Sequence, residues 1–86
     1  MREVTHADVA LVTELYAINR ARQAMIDGVC EHTRQHVHRL MREHASGARI
    51  VEAFDQCRAA VLAVEAKGDQ ADGYARERHL TDAAGS

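Results

Sequence analysis

An all-α fold, an antiparallel helical hairpin, is predicted by three observations. The chain has no proline, its aromatic content is 3%, and its apolar residues recur at helical spacing. Proline breaks helix interiors, and strands would want β-branched and aromatic runs that are missing here. Alanine, arginine and glutamate recur throughout the sequence, and they lose little side-chain freedom in a helix. A chain of 86 residues supports one domain, residues 1–86, with a thin core of its own.

On a wheel of about 100° per residue a single apolar stripe runs from Val4 to Leu40. It contains Val4, Leu11, Val12, Leu15, Ile18, Met25, Ile26, Val29, Val37 and Leu40. One phase fits all of them, so a single long helix is predicted over about residues 5–44. Thr5 is placed to cap it, with Asp8 in a capping-box-like position. Gly28 is the expected site of a bend. Ala45-Ser46-Gly47 breaks the pattern: glycine suits the position just past a helix end, and serine caps the next helix.

The second stripe is Ile50, Val51, Phe54, Cys57, Ala60, Val61 and Val64. It predicts a helix over about residues 47–67, closed by Lys67-Gly68, a cation and then a glycine. Beyond that the signal fades. Only Tyr74 and Leu80 are large and apolar, and Gly73 interrupts them. A short, weak third helix is expected over about residues 69–80, followed by a disordered tail over residues 81–86. No internal repeat is visible.

Lengths turn this reading into a functional expectation. A helix of about 40 residues is about 60 Å long and one of about 20 residues about 30 Å. A short turn makes the two antiparallel, so the second would cover only about residues 25–44 of the first. The stripe from Val4 to Ile18 would then lack a cover unless the C-terminal segment folds back on it, as in a monomeric three-helix bundle. Burying each large aliphatic side chain is worth about 1.5–3 kcal/mol, so two copies are expected to pair as a dimeric four-helix-type bundle. Val4, Leu11, Leu15, Ile18, Arg22 and Met25 are the candidate self-interface or partner-binding residues. Arg22, inside the apolar sector, would either snorkel its guanidinium outward or bridge to Asp8 or Glu14 of the other subunit.

The net charge of −2 argues against a dedicated nucleic-acid binder. Arg20, Arg34, His38 and Arg42 form a mildly basic outer face. It reads as a solvated surface or as a docking face for an acidic partner; without interleaved aromatic residues nucleic acid is the weaker fit. No apolar run approaches the roughly 20 residues that cross a bilayer, and Met1 to His6 has no apolar signal core behind it. Cys30 and Cys57 fall far below the density of a secreted disulfide scaffold, so a reduced, cytoplasmic protein is expected. Counted from the turn, the two cysteines are several residues out of register, and no intrachain disulfide is expected.

Of the six histidines, His32 and His36 are four apart, a spacing at which two imidazoles can share a metal, with Glu43 on nearly the same face. No Cys-x-x-Cys or His-Glu-x-x-His pattern completes such a site, so these three are weak metal candidates, and no metal or cofactor is expected. A histidine near an interface could also act as a pH switch. Catalysis finds no foothold. Neither cysteine has a base partner, no glycine-rich phosphate loop is present, and the carboxylates are scattered.

The layout is similar to the small helical hairpins exported by type VII secretion. Those carry Trp-x-Gly at the turn and Tyr-x-x-x-Asp/Glu after the second helix. Here the turn is Ala45-Ser46-Gly47, and Tyr74 precedes Glu77 at one residue less than that spacing; membership is not assigned. The expected function is that of a non-enzymatic protein–protein interaction module, an accessory inhibitor or adaptor. Small phage-encoded proteins that block a host protein offer an analogy of scale and fold. The alternatives are a metal- or pH-responsive sensor built on His32 and His36, and a weak nucleic-acid binder using the basic face.

Overall fold

The computed structural model describes residues 3–85, with side chains described through residue 82. Among the described residues the elements are two helices, α1 (His6–Arg42) and α2 (Gly47–Gly85). The capping box at the start of α1 forms as expected. Thr5 Oγ1 accepts from the Asp8 N–H at 3.2 Å, and the Asp8 carboxylate accepts from the Thr5 N–H at 2.9 Å. Two of the donors that every helix start leaves open are thereby satisfied.

The turn is built differently from expectation. Gly47 opens α2 at the expected start, directly after its cap, Ser46, whose oxygens accept the Arg49 N–H, and so it is not the residue that ends α1. The left-handed residue that ends α1 is His44, with φ of 56°. This conformation lets the Ala45 N–H reach the Leu40 carbonyl at 2.9 Å and the His44 N–H reach that of Met41 at 3.1 Å. Glycine is the usual occupant of that position, because a side chain there costs about 1 kcal/mol or more.

The second helix does not stop at Lys67-Gly68, and no separate third helix follows. α2 is continuous through Gly68, Gly73 and the expected tail to Gly85; Ser86 lies outside the described residues. Gly68 is buried in the seam, where an added Cβ would overlap the Arg22 guanidinium. Its role is close approach, not termination. α1 likewise runs uninterrupted through Gly28. The molecule measures 63 × 18 × 15 Å, which leaves little width for a sharp bend.

Inward-facing positions recur every eleven residues. On α2, Ala53, Val64 and Ala75 are buried, and Cys57, Gly68 and His79 follow at the same interval. On α1, Leu11, Arg22 and Thr33 form one such series and Ile18, Val29 and Leu40 another. The residues themselves do not repeat; the packing does. Eleven residues make three turns at about 3.67 per turn, close to a straight helix, so the seam stays in register without a heptad's left-handed wrap. Large side chains come mostly from α1 and small ones mostly from α2. Leu40, at 2% exposure, is the largest apolar residue in the core, beside Ala53, Val64 and Ala75. Thr33 is buried too, its hydroxyl donating to the Val29 carbonyl at 3.0 Å.

Two helices side by side cannot enclose much. The radius of gyration is 19.4 Å, against about 12 Å for a compact chain of this length. The exposed surface is 6793 Å², where a compact monomer of this mass would show about 5,000 Å².

Candidate interaction surface

A lone exposed apolar residue is ordinary on a protein surface, so clustering is what carries information. Here Tyr16, Phe54 and Met41 are exposed, as are Val9, Val12, Met25 and Leu62. Three shallow depressions gather several of them. The largest, about 500 Å³, runs between the helices and is lined by Met25, Val29, His32, His36, Ala53 and Ala60. On the other side of the seam, Cys30, Val37, Phe54 and Cys57 line one of about 320 Å³. Val4, Val9, Leu11 and Val12 surround a third of about 470 Å³ near the start of α1, with His79 at its edge. By helical phase Val9, Val12, Tyr16, Cys30, Val37 and Met41 share one flank of α1. Phe54 stands on the corresponding flank of α2, and Arg34 and His38 border the same depression.

Phe54 and Val51 were both expected inside the second stripe, and both are exposed. Alanines do the packing that the larger residues were expected to do. The bulk that periodicity assigns to the core is thus free on the surface.

The candidate residues of the Val4–Ile18 stripe are only partly free. Leu11, Leu15 and Ile18 are half-buried, because the long α2 covers the segment expected to lack a cover. Val4, 77% exposed, and Met25, 54% exposed, remain open. Arg22 lies across Gly68 and pairs within the chain, its Nη1 3.3 Å from Asp69 Oδ1. Its Nε is buried and has no hydrogen-bond partner among the described residues. The groups expected to bridge to it from another subunit are engaged within the chain. Asp8 meets His79 Nε2 at 3.1 Å, and Glu14 pairs with Arg78.

No family model matches this chain, and no curated protein or solved structure matches it significantly. The reading of its surface therefore rests on its own residues.

On the outer face of α1, Arg34, His38 and Arg42 come together with Gln35 and Arg39 around one shallow depression; Arg20 is not among its lining residues. The patch is less basic than its sequence. Arg34 donates two hydrogen bonds to Glu31, at 2.7 and 2.9 Å, and Gln35 donates a third at 3.1 Å. These hydrogen bonds, Arg34's first, and the Arg34 charge hold the Glu31 carboxyl down at about 2.

His32 and His36 stack, with ring centroids 6.4 Å apart and planes inclined by 16°. Both line the large groove, whereas Glu43 is the C-cap residue of α1 and is not among that groove's lining residues. Arg39 lies 2.9 Å from His36 Nδ1. Among the described residues no three His, Cys, Asp or Glu side chains converge as metal ligands. No described helix is long and apolar enough to cross a membrane.

The cysteines overturn the expected register. Cys30 and Cys57 line the same depression from opposite helices, and Cys57 is among the groups that push the Cys30 thiol up. Register counted from a turn at Ala45-Ser46-Gly47 misplaces them, because the turn is centred on His44 and Ala45. Sequence reading had no other signal for this pair.

Proposed function

We propose that this chain is a non-enzymatic protein–protein interaction module that first pairs with a second copy of itself and then presents the paired hairpins to another protein as an accessory inhibitor or adaptor. The carrying observation is the imbalance between a core of Leu40, Ala53, Val64 and Ala75 and a surface bearing Tyr16, Met41, Phe54 and Leu62. A 9.5 kDa chain that leaves so much apolar area in water gains by covering it, and hairpins do so by packing flank against flank. The excess over a compact monomer, about 1,700 Å², exceeds the roughly 800 Å² per partner that a standard interface buries. The Phe54 flank, with Tyr16 and Met41, is the self-interface in this reading. Arg34 and His38 border the same depression as Phe54 and would sit at the rim of that interface, while Arg39 and Arg42 remain outward as the docking surface for an acidic partner.

Association makes stability depend on concentration. The thermal midpoint should therefore rise with protein concentration, and Phe54→Glu should abolish that rise. A midpoint independent of concentration in the wild type would contradict the proposal. The second reading, a metal- or pH-responsive sensor, draws support from the stacked His32 and His36 in an open groove. It requires that zinc raise the midpoint of the wild type and leave that of the His32→Ala/His36→Ala variant unchanged.

A further inference from the structure

We infer that Cys30 and Cys57 form a thiol modification site: a pair poised to take oxidising equivalents from a small disulfide and to close into a cross-helix bond that staples α1 to α2. The argument begins with register. Cys30 follows Asp8 by 22 residues, and Cys57 precedes His79 by 22, two full eleven-residue packing periods on each helix. The cysteines therefore occupy the positions equivalent to Asp8 and His79, whose side chains touch across the seam at 3.1 Å.

The second observation is helix spacing. A disulfide wants Cα atoms about 5.5–6 Å apart, closer than most helix pairs allow their facing residues. On α2, Cys57 lies between Ala53 and Ala60, which line the same seam and keep the backbones close. The third is access. In the single chain Cys30 is exposed while Cys57 is half-buried, so before two copies cover this flank one thiol can meet a reagent and the other can resolve the product from inside.

The chemistry balances with a low-molecular-weight disulfide as co-reactant. The Cys30 thiolate, having lost its proton to water, attacks one sulfur of the reagent and expels the other as a thiolate. The Cys57 thiolate then attacks the Cys30 sulfur and expels the second half. Two protein thiols lose two electrons and two protons, and the reagent is reduced to two thiols. Desolvation, with Cys57 and Asp27 nearby, pushes the Cys30 thiol up. The thiolate is scarce near neutrality, and the reaction accelerates as pH rises.

The test treats the folded full chain with glutathione disulfide and reads intact mass, free thiols and thermal midpoint. The expected product is monomeric on a non-reducing gel and has lost about 2 Da and both free thiols. Closing the 30–57 loop should raise its midpoint by about 10 °C, reversibly with dithiothreitol. Cys57→Ser should stop at a glutathione adduct on Cys30, and Cys30→Ser should react far more slowly. A wild-type product that is only a glutathione adduct or an intermolecular disulfide would overturn the inference. So would an internal bond that forms only in denaturant.

Discussion

The half of the hairpin near the turn and the half far from it are held together by different physics. Near the turn, Leu40, Ala53 and Val64 are buried and Thr33 is satisfied by its own helix. Far from it, α2 offers Gly68, Ala71 and Ala75, and these small surfaces bury little apolar area. There the cross-helix ion pairs found among the described residues take over: Arg22–Asp69, Glu14–Arg78 and Asp8–His79. Exposed pairs are worth about 0–1 kcal/mol each, which applies to Arg22–Asp69 and Glu14–Arg78, whose Asp69 and Arg78 are largely exposed; the Asp8–His79 contact is mostly buried. A covalent turn and an apolar seam thus stabilise one end. The other end depends on register and charge and should open first.

The largest expected effect comes from breaking the stronger half. Leu40→Ala should cost about 2–5 kcal/mol, enough in so small a core to remove most of the cooperative thermal transition followed by circular dichroism. Leu15→Ala, half-buried in the far half, should cost less than half as much. Equal losses would mean that the two halves are packed alike.

A middle-sized effect separates the glycines. Nothing lies within 4 Å of a Cβ added at Gly28 or Gly73, so alanine at either should stabilise by about 0.5–1 kcal/mol in urea unfolding. Gly68→Ala should lose that gain, because the Arg22 guanidinium must leave the seam, and Arg22→Ala should restore it in the double variant. A full gain from Gly68→Ala alone would show that Arg22 does not lie across the α2 backbone.

The contrast between the halves also explains what was legible in the sequence. The stripe on α1, the capping box at Thr5 and Asp8 and the position of the turn could be read because large apolar residues and a strong cap mark them. The far half of α2 could not. Its inward positions are Gly68, Ala71 and Ala75, which carry almost no hydrophobic signal, and Lys67-Gly68 has the form of a helix end. That one misreading shortened the helix and left Val4 to Ile18 without its cover. Phe54 failed for the opposite reason. Bulk near a stripe reads as core, but a seam this close-packed on α2 takes alanine and turns phenylalanine outward. The cysteine pair was missed because register is counted from a turn read at Ala45-Ser46-Gly47, and the residue at the left-handed position, His44, gives no glycine signal.

The smallest expected effect belongs to the surface beside that core. The Glu31 carboxyl, held at about 2 by Arg34 and Gln35, favours the folded state wherever it is ionised. That contribution is complete above the ordinary carboxylate pKa of about 4.3 and is lost as pH falls towards about 2. Glu31→Gln should therefore lower the thermal midpoint slightly at neutral pH and flatten part of the acid limb between about pH 4.5 and 2, converging with the wild type as pH falls. An unaltered acid limb would place that loss on other carboxylates.

The account turns on the exposed Phe54 flank being covered in solution. Light scattering coupled to size exclusion, over a range of concentrations, tests this most directly. The wild type should approach twice the mass of the 9.5 kDa chain as concentration rises, and Phe54→Glu should remain at the mass of one chain with its helices intact. A wild type that stays monomeric at every concentration would contradict it.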